Sequence, residues 1–593
     1  MPVAGFDPML MTASELQKLL EARILRSVEI VDTYLAQIEA HNRRGRQLRA
    51  LISVAPKHHL LAIAQYLDNE RNEGRIRGPL HGIPIVVKDN IMTDPRLGMD
   101  TTVGSYAFVG GRPKKNATVV ERLIRKGMII IGKANLTEFC GLKTPQMPPG
   151  WSAVGGQCQS PYVSRHIAKG KLKWELSAPG GSSTGSAVSV AAGFSTLAVG
   201  TDTIGSLITP ANRASLYAMK PTPGKVPMDG IFSLSGTFDS PGGMAKSATD
   251  LVNLMNTLVA PTECEVGSPA AGTCYKIKEG WEGLHIGFAA PSIWKMWLKS
   301  KRINADAERY MRQRYESIIA TLHEVHASLS YPIELPLPGS LSLDGRNSFE
   351  PIVYHEFKAR LNDFLASFTT TKVHSLAEII NFNLEHPELT LPPSSPNQDD
   401  LHAALESTLT QADLAQARAN LKSLGGAAAL DKLFSSLAVD IIAAPGDSAL
   451  CSLAAAAGYP MAVVPLGALK LNGQPFGIAL CARAHEEAKL VHFMTAYEST
   501  FPGRPLPLQL DSVPMLRDDK EMLPDKPIVD LILHEWDTRR FNCSADALAD
   551  WLNRRWRKSG YMLSPETVCE VLRGNGRVAF RGLGDQEEGA FAR

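Results

Sequence analysis

Between Ala178 and Pro223 the chain runs APGGSSTGSAVSVAAGFSTLAVGTDTIGSLITPANRASLYAMKPTP, some 46 positions with few large side chains. Such a stretch is a poor generic core. Glycine allows unusual backbone angles and close approach, and small side chains leave main-chain N–H groups free to face a bound molecule. A flexible linker is excluded, because the apolar runs Ala187–Ala192 and Leu197–Val199 lie inside it and Gly/Ser linkers do not alternate with core-forming runs. The stretch therefore predicts backbone packed closely around a site. Two serine-bearing turns mark that site: Gly180-Gly181-Ser182-Ser183 and Thr203-Ile204-Gly205-Ser206.

Short apolar runs elsewhere alternate with amphipathic stretches. Ile83–Val87, Met128–Ile131, Thr196–Val199, Leu284–Phe288, Ile441–Ala443 and Met461–Val464 read as buried strands. Thr12-Ala-Ser-Glu15 is a capping box that opens a helix, and Ser27 is expected to cap the next. Further helices are expected over 57–72, 117–126, 187–192, 354–368 and 401–424, with a polar, Pro-rich loop before the last. Strands alternating with helices predict an α/β sandwich around a large mixed, mostly parallel sheet. At 593 residues the chain exceeds one ordinary core. The expected division is a domain over 1–510 and a small all-helical module over 525–593.

Composition excludes several classes. A net charge of +2 argues against a polyanionic partner for the whole chain. No apolar window is long enough to span a membrane, and MPVAGFDPML has no secretory pattern. Eight cysteines without paired spacing read as reduced thiols, which predicts a cytoplasmic protein. With no CxxC pair and no HExxH, neither a metal nor another cofactor is expected.

The order GGSS-x-GSA, GTDT-x-GS, Pro-Ala, Lys-Pro-Thr resembles the amidase signature family of serine amide hydrolases. The two key serines are 24 positions apart, as in that pattern. Pro84-Ile-Val-Val-Lys88-Asp-Asn-Ile, Gly132-Lys133-Ala-Asn135-Leu-Thr-Glu138-Phe139, Asp239-x-Pro241-Gly242-Gly243-Met244 and Gly473-Gln-Pro475-Phe-Gly477 also match, so the resemblance spans roughly residues 10–505. It implies a catalytic set of Ser206 as nucleophile, Ser182 as proton relay, joined to the preceding residue by a cis peptide bond, and Lys88 as base. It implies an oxyanion held by main-chain N–H groups of Thr203, Ile204, Gly205 and Ser206. Ser183 is read as a supporting hydrogen-bond donor and Asp202 as part of the same binding loop. Lys88 must be neutral to act as base, so burial has to lower its pKa; the Ile83–Val87 run gives that burial a reason. Such a Ser–Lys arrangement requires no histidine.

Two departures bear on the site. The commoner pattern reads Asp-Thr-Gly-Gly-Ser, and here Ile204 replaces the first Gly; a β-branched residue should keep φ negative. The commoner pattern also carries an Arg two residues after the nucleophile, where this chain has Ile208. That Arg neutralises the Asp equivalent to Asp202, and Arg213 is the candidate substitute. A branch resembling the peptide amidases shares both departures. Gly150-Trp151-Ser152, Gly155-Gly156-Gln157 and Pro161-Tyr162 also resemble that branch, while SRHIAKGKLKWEL at 164–176 is an insertion beside the expected site.

The expected activity is hydrolysis of a small-molecule carboxylic amide through an acyl-enzyme. Two rival readings are an amidotransferase component that needs a partner and a non-catalytic protein acting through its tail. The basic helices of 525–593 could read DNA, but a docking bundle with a solvated basic face is the expectation, so no nucleic-acid partner is predicted. The residues leave a homodimer open.

Overall fold

A computed structural model describes residues 6–510 except Gln146, 164–178, 260–274, 291–304, 337–340, 344–345, Ser394, Pro502 and 508–509. Beyond 510 only single positions are described, among them Ile532, Leu548, Leu552, Val568 and Leu572, which are helical and buried. The rest of the expected 525–593 module, and the 164–176 insertion, lie outside the described residues.

The expected α/β sandwich forms around one eleven-stranded mixed sheet. Its strands are β1 (Leu51–Val54), β2 (Pro84–Lys88), β3 (Ile129–Ala134), β4 (Leu197–Asp202), β5 (Tyr217–Lys220), β6 (Ser240–Ala245), β7 (His285–Ala289), β8 (Ser328–Ile333), β9 (Ile441–Pro445), β10 (Met461–Ala468) and β11 (Pro475–Cys481). They lie in the order β1-β3-β2-β4-β6-β5-β10-β11-β9-β7-β8. Two parallel blocks, β3-β2-β4 and β9-β7-β8, are joined through an antiparallel middle.

Helices α1 (Ala13–Glu21), α2 (Ser27–His41), α3 (Lys57–Asn72), α4 (Thr118–Arg125), α5 (Thr184–Ala191), α6 (Ile208–Asn212), α7 (Ala248–Leu258) and α8 (Ala305–Glu324) follow in chain order. The Thr12/Glu15 capping box opens α1 as expected. Ser27, however, is the first residue of α2 rather than its cap. Arg26 occupies the cap, and the Ser27 amide donates to Asp68 on α3 at 2.7 Å. A helical insert follows β8: α9 (Glu350–Ala366), α10 (Leu376–Glu385), α11 (Asp399–Glu406) and α12 (Gln411–Lys422). The single helix expected over 401–424 is thus two, broken at 407–410, where Thr410 caps α12.

Contact between backbones explains the small-residue stretch. Every residue of α5 is buried. A Cβ at Gly185 would lie 2.2 Å from the Ala50 carbonyl oxygen and 2.5 Å from the Asn135 amide. Helix and sheet backbones touch there, and no larger side chain fits. The helix also starts three residues earlier than expected, at Thr184. The GGSS turn therefore leads straight into a fully buried helix, and its serines are held against the sheet.

Candidate active site

Three neighbouring elements build the site. Strand β2 is wholly buried and delivers Lys88 as its last residue. Next to it, β4 ends in Thr201-Asp202 and continues into the Thr203–Ser206 turn. The Gly180–Ser183 turn lies over both, and Gly181–Ser182 is a cis peptide bond. The Ser183 amide donates to the Ser206 carbonyl at 2.9 Å, which ties the two serine turns together. Lys88, Ser182, Ser183 and Asp202 are buried, whereas Thr203, Ile204 and Ser206 are half-exposed.

Lys88 is fully buried among neutral oxygens. Its Nζ lies 2.8 Å from Ser182 Oγ, 2.8 Å from Thr201 Oγ1 and 3.4 Å from the Thr201 carbonyl. Asn90 Nδ2 donates to the same Thr201 hydroxyl at 3.1 Å. Burial pulls the Lys88 pKa below its ordinary value, and the fields of Cys140, Asp202 and Asp239 only partly oppose that. The Ser183 hydroxyl donates to the Thr201 carbonyl at 2.8 Å and accepts from the Thr201 amide at 3.2 Å.

Asp202 anchors the second turn. Its carboxylate accepts from the amides of Gly205 at 2.9 Å and Leu207 at 2.7 Å. The counter-charge is Lys220, at the end of β5, whose Nζ stands 3.0 Å from Asp202 and donates to the Thr203 carbonyl at 2.7 Å. Burial alone would raise the Asp202 pKa, but Lys220 and the two amides outweigh it and hold it below the usual range. The expectation that Arg213 fills this role is corrected: Arg213 pairs with Asp447 at 3.3 Å. Arg213 closes the short helix α6, and strand pairing, not sequence proximity, carries Lys220 to Asp202.

Ile204 is not among the non-glycine residues with positive φ, as its β-branch requires. Gly205 takes the left-handed step instead, at φ +88°. The amides of Ile204 and Ser206 have no acceptor within the protein among the described residues. The Gly205 amide is turned inward to Asp202.

Sequence reasoning missed Thr201, Asn90, Lys220 and Asp239 as members of this cluster. Each stands in a motif quoted for the resemblance, but its partner lies on another strand or loop, 17 to 142 residues away. For Thr201 and Lys220, a polar residue inside an otherwise apolar strand pattern was the available signal.

Comparison with known proteins follows the same line. A family model described as Amidase matches residues 29–446. A Schizosaccharomyces pombe protein named as a putative amidase is 31% identical over 524 residues, covering 82% of this chain and 84% of that one. The solved structure of native peptide amidase from Stenotrophomonas maltophilia aligns with a TM-score of 0.71 and 32% identity, over 84% of this chain and 98% of that one. A glutamyl-tRNA(Gln) amidotransferase component from Chloroflexus aurantiacus is 36% identical over 249 residues, 42% of this chain and 46% of that one. Fold and relatives together define an enzyme that hydrolyses amides. The chain belongs to the amidase signature family. Among the described residues no helix is long and apolar enough to cross a membrane.

Proposed function

We propose that hydrolysis proceeds through an acyl-enzyme on Ser206, with Ser182 and Lys88 as proton shuttle. The observation that carries this reading is the set of oxygens around Lys88. A neutral amine has two hydrogens and one lone pair. The hydroxyl and carbonyl of Thr201 accept the two hydrogens, which leaves the lone pair for the Ser182 hydroxyl 2.8 Å away. Ser182 then accepts the proton of Ser206 as Ser206 attacks the amide carbonyl, and the proton returns by the same route to the leaving amine. Water deacylates the enzyme.

The amides of Thr203, Ile204 and Ser206 are the donors left for the oxyanion. Thr203 shapes the turn through its carbonyl and hydroxyl. Gly205 serves through its backbone conformation, its amide being engaged by Asp202. The likeness to the Stenotrophomonas peptide amidase favours a peptidyl amide as substrate. The free thiols of Cys140, Cys158, Cys451 and Cys481 accord with a reducing compartment, and we place the enzyme in the cytoplasm.

Ammonia release from a C-terminally amidated dipeptide by the purified chain tests the function. Release by the wild type and none by Ser206→Ala is expected. No release by a well-folded wild type, restored by a second protein, would favour the amidotransferase reading that the partial Chloroflexus match raises.

A further inference from the structure

The loop from Ser233 to Asp239 lies between the helical insert and the Thr203–Ser206 turn. Asp239 gathers one end of it: one carboxylate oxygen accepts from the Ser233 hydroxyl at 2.8 Å, the Leu234 amide at 2.6 Å and the Ser235 amide at 3.2 Å. Its other oxygen accepts from the Thr203 hydroxyl at 2.7 Å. From the opposite side, buried Glu356 of α9 accepts from the Ser235 hydroxyl and from the Thr237 amide at 3.1 Å and hydroxyl at 2.5 Å. Arg418 of α12 donates to the same carboxylate through Nε at 2.8 Å. A cavity of about 700 Å³, lined in part by Ser233, Ser235, Gly236, Asp239, Arg360 and Phe364, adjoins this loop. Packing is therefore missing on that side, and the two carboxylates set where the loop sits.

Thr203 is gripped twice, by Asp239 at its hydroxyl and by Lys220 at its carbonyl. The peptide unit is planar and trans, so the direction of the Thr203 carbonyl fixes the opposite direction of the Ile204 N–H. We propose that Asp239 and Glu356 form a positioning relay that aims the Ile204 amide through Thr203 and makes the acylation rate depend on how the 350–422 insert is seated. The relay rests on the reading of Ser206 as nucleophile and of the Ile204 amide as an oxyanion donor. Neither carboxylate touches the reacting atoms; both act through Thr203.

The experiment measures how fast a fluorophosphonate labels Ser206, with kcat and KM for one amidated dipeptide, in the full-length protein. Thr203→Val keeps the branched shape and removes the hydroxyl. Labelling rate and kcat should both fall about tenfold with KM and thermal midpoint unchanged, and Thr203→Ser should restore them. Glu356→Gln should slow labelling about threefold alone and add nothing to Thr203→Val, because both act on one element. If Glu356→Gln does not fold, Thr237→Val, which removes one of Glu356's donors, takes its place. Wild-type rates in Thr203→Val, or strictly multiplicative losses in the double variant, would overturn the relay. Labelling that never reaches Ser206 in the wild type would instead remove the reading beneath it.

Discussion

Two buried lysines reach the end of β4 from opposite sides. Lys88 arrives from β2 and meets hydroxyls, a carbonyl and the Cys140 thiol. Lys220 arrives from β5 and meets the Asp202 carboxylate. Burial is nearly the same for both, so what differs is the charge of the partner. An ammonium buried without a counter-ion is costly and its proton is loosened. One buried beside a carboxylate has its charge paired. The ends of β2 and β5, on opposite sides of β4, thus place an unpaired buried lysine on one side of the turn and an ion-paired one on the other.

The largest expected effect separates the two. Lys88→Met should lower kcat/KM by about 10,000-fold, the scale of losing a triad member. It should leave the protein no less stable. A lysine whose folded pKa is lowered binds its proton more weakly in the folded state, so its contribution opposes folding at pH values below its ordinary range. Urea unfolding at neutral pH checks the sign, and a clear destabilisation would mean that Lys88 is held as a cation.

Lys220→Met should behave in the opposite way. It strands Asp202 in the interior, and unfolding free energy should drop by about 3–5 kcal/mol. The loosened turn should also cost about 100-fold in kcat. Arg213→Ala should cause neither loss, since Arg213 faces Asp447. If instead Arg213→Ala reproduced the Lys220→Met phenotype, the assignment of the Asp202 partner would be wrong.

The pH profile sharpens the comparison on the Lys88 side. kcat/KM should rise with pH through the lowered Lys88 pKa and level off above it, because only the neutral amine accepts a proton. A falling limb with a histidine-like midpoint would contradict a histidine-free shuttle. A smaller effect is expected of Thr201→Val. Loss of the hydroxyl that accepts from Lys88 should cost about tenfold and move the rising limb to lower pH, since the ammonium loses an acceptor.

The parts of this site that were legible in the sequence are those written as contiguous motifs. Lys88 closes a β-branched run, and Ser182 and Ser206 stand in two glycine turns at fixed spacing. Burial of Lys88 followed from the run before it. The clamp was not legible, because Lys220 meets Asp202 only once β4, β6 and β5 have paired. Strands explain the rest. Ser240–Ala245 reads SPGGMA, a loop by composition, yet it lies wholly buried in the middle of the sheet. There the Gly242 backbone passes so close to β5 that a Cβ would lie 2.1 Å from the Met219 carbonyl oxygen. Local propensity argues against that strand, and its neighbours decide. Leu51–Val54 and Tyr217–Lys220 are four residues each, too short for a period to show.

On the proposed reading, Lys88, uncharged and acting through Ser182, activates Ser206. Treating purified protein with a fluorophosphonate and mapping the adduct by mass spectrometry tests it most directly. One adduct, on Ser206, is expected in the wild type and in Arg213→Ala, and none on the same timescale in Lys88→Met. An adduct on another serine, or undiminished labelling of Ser206 in Lys88→Met, would contradict it.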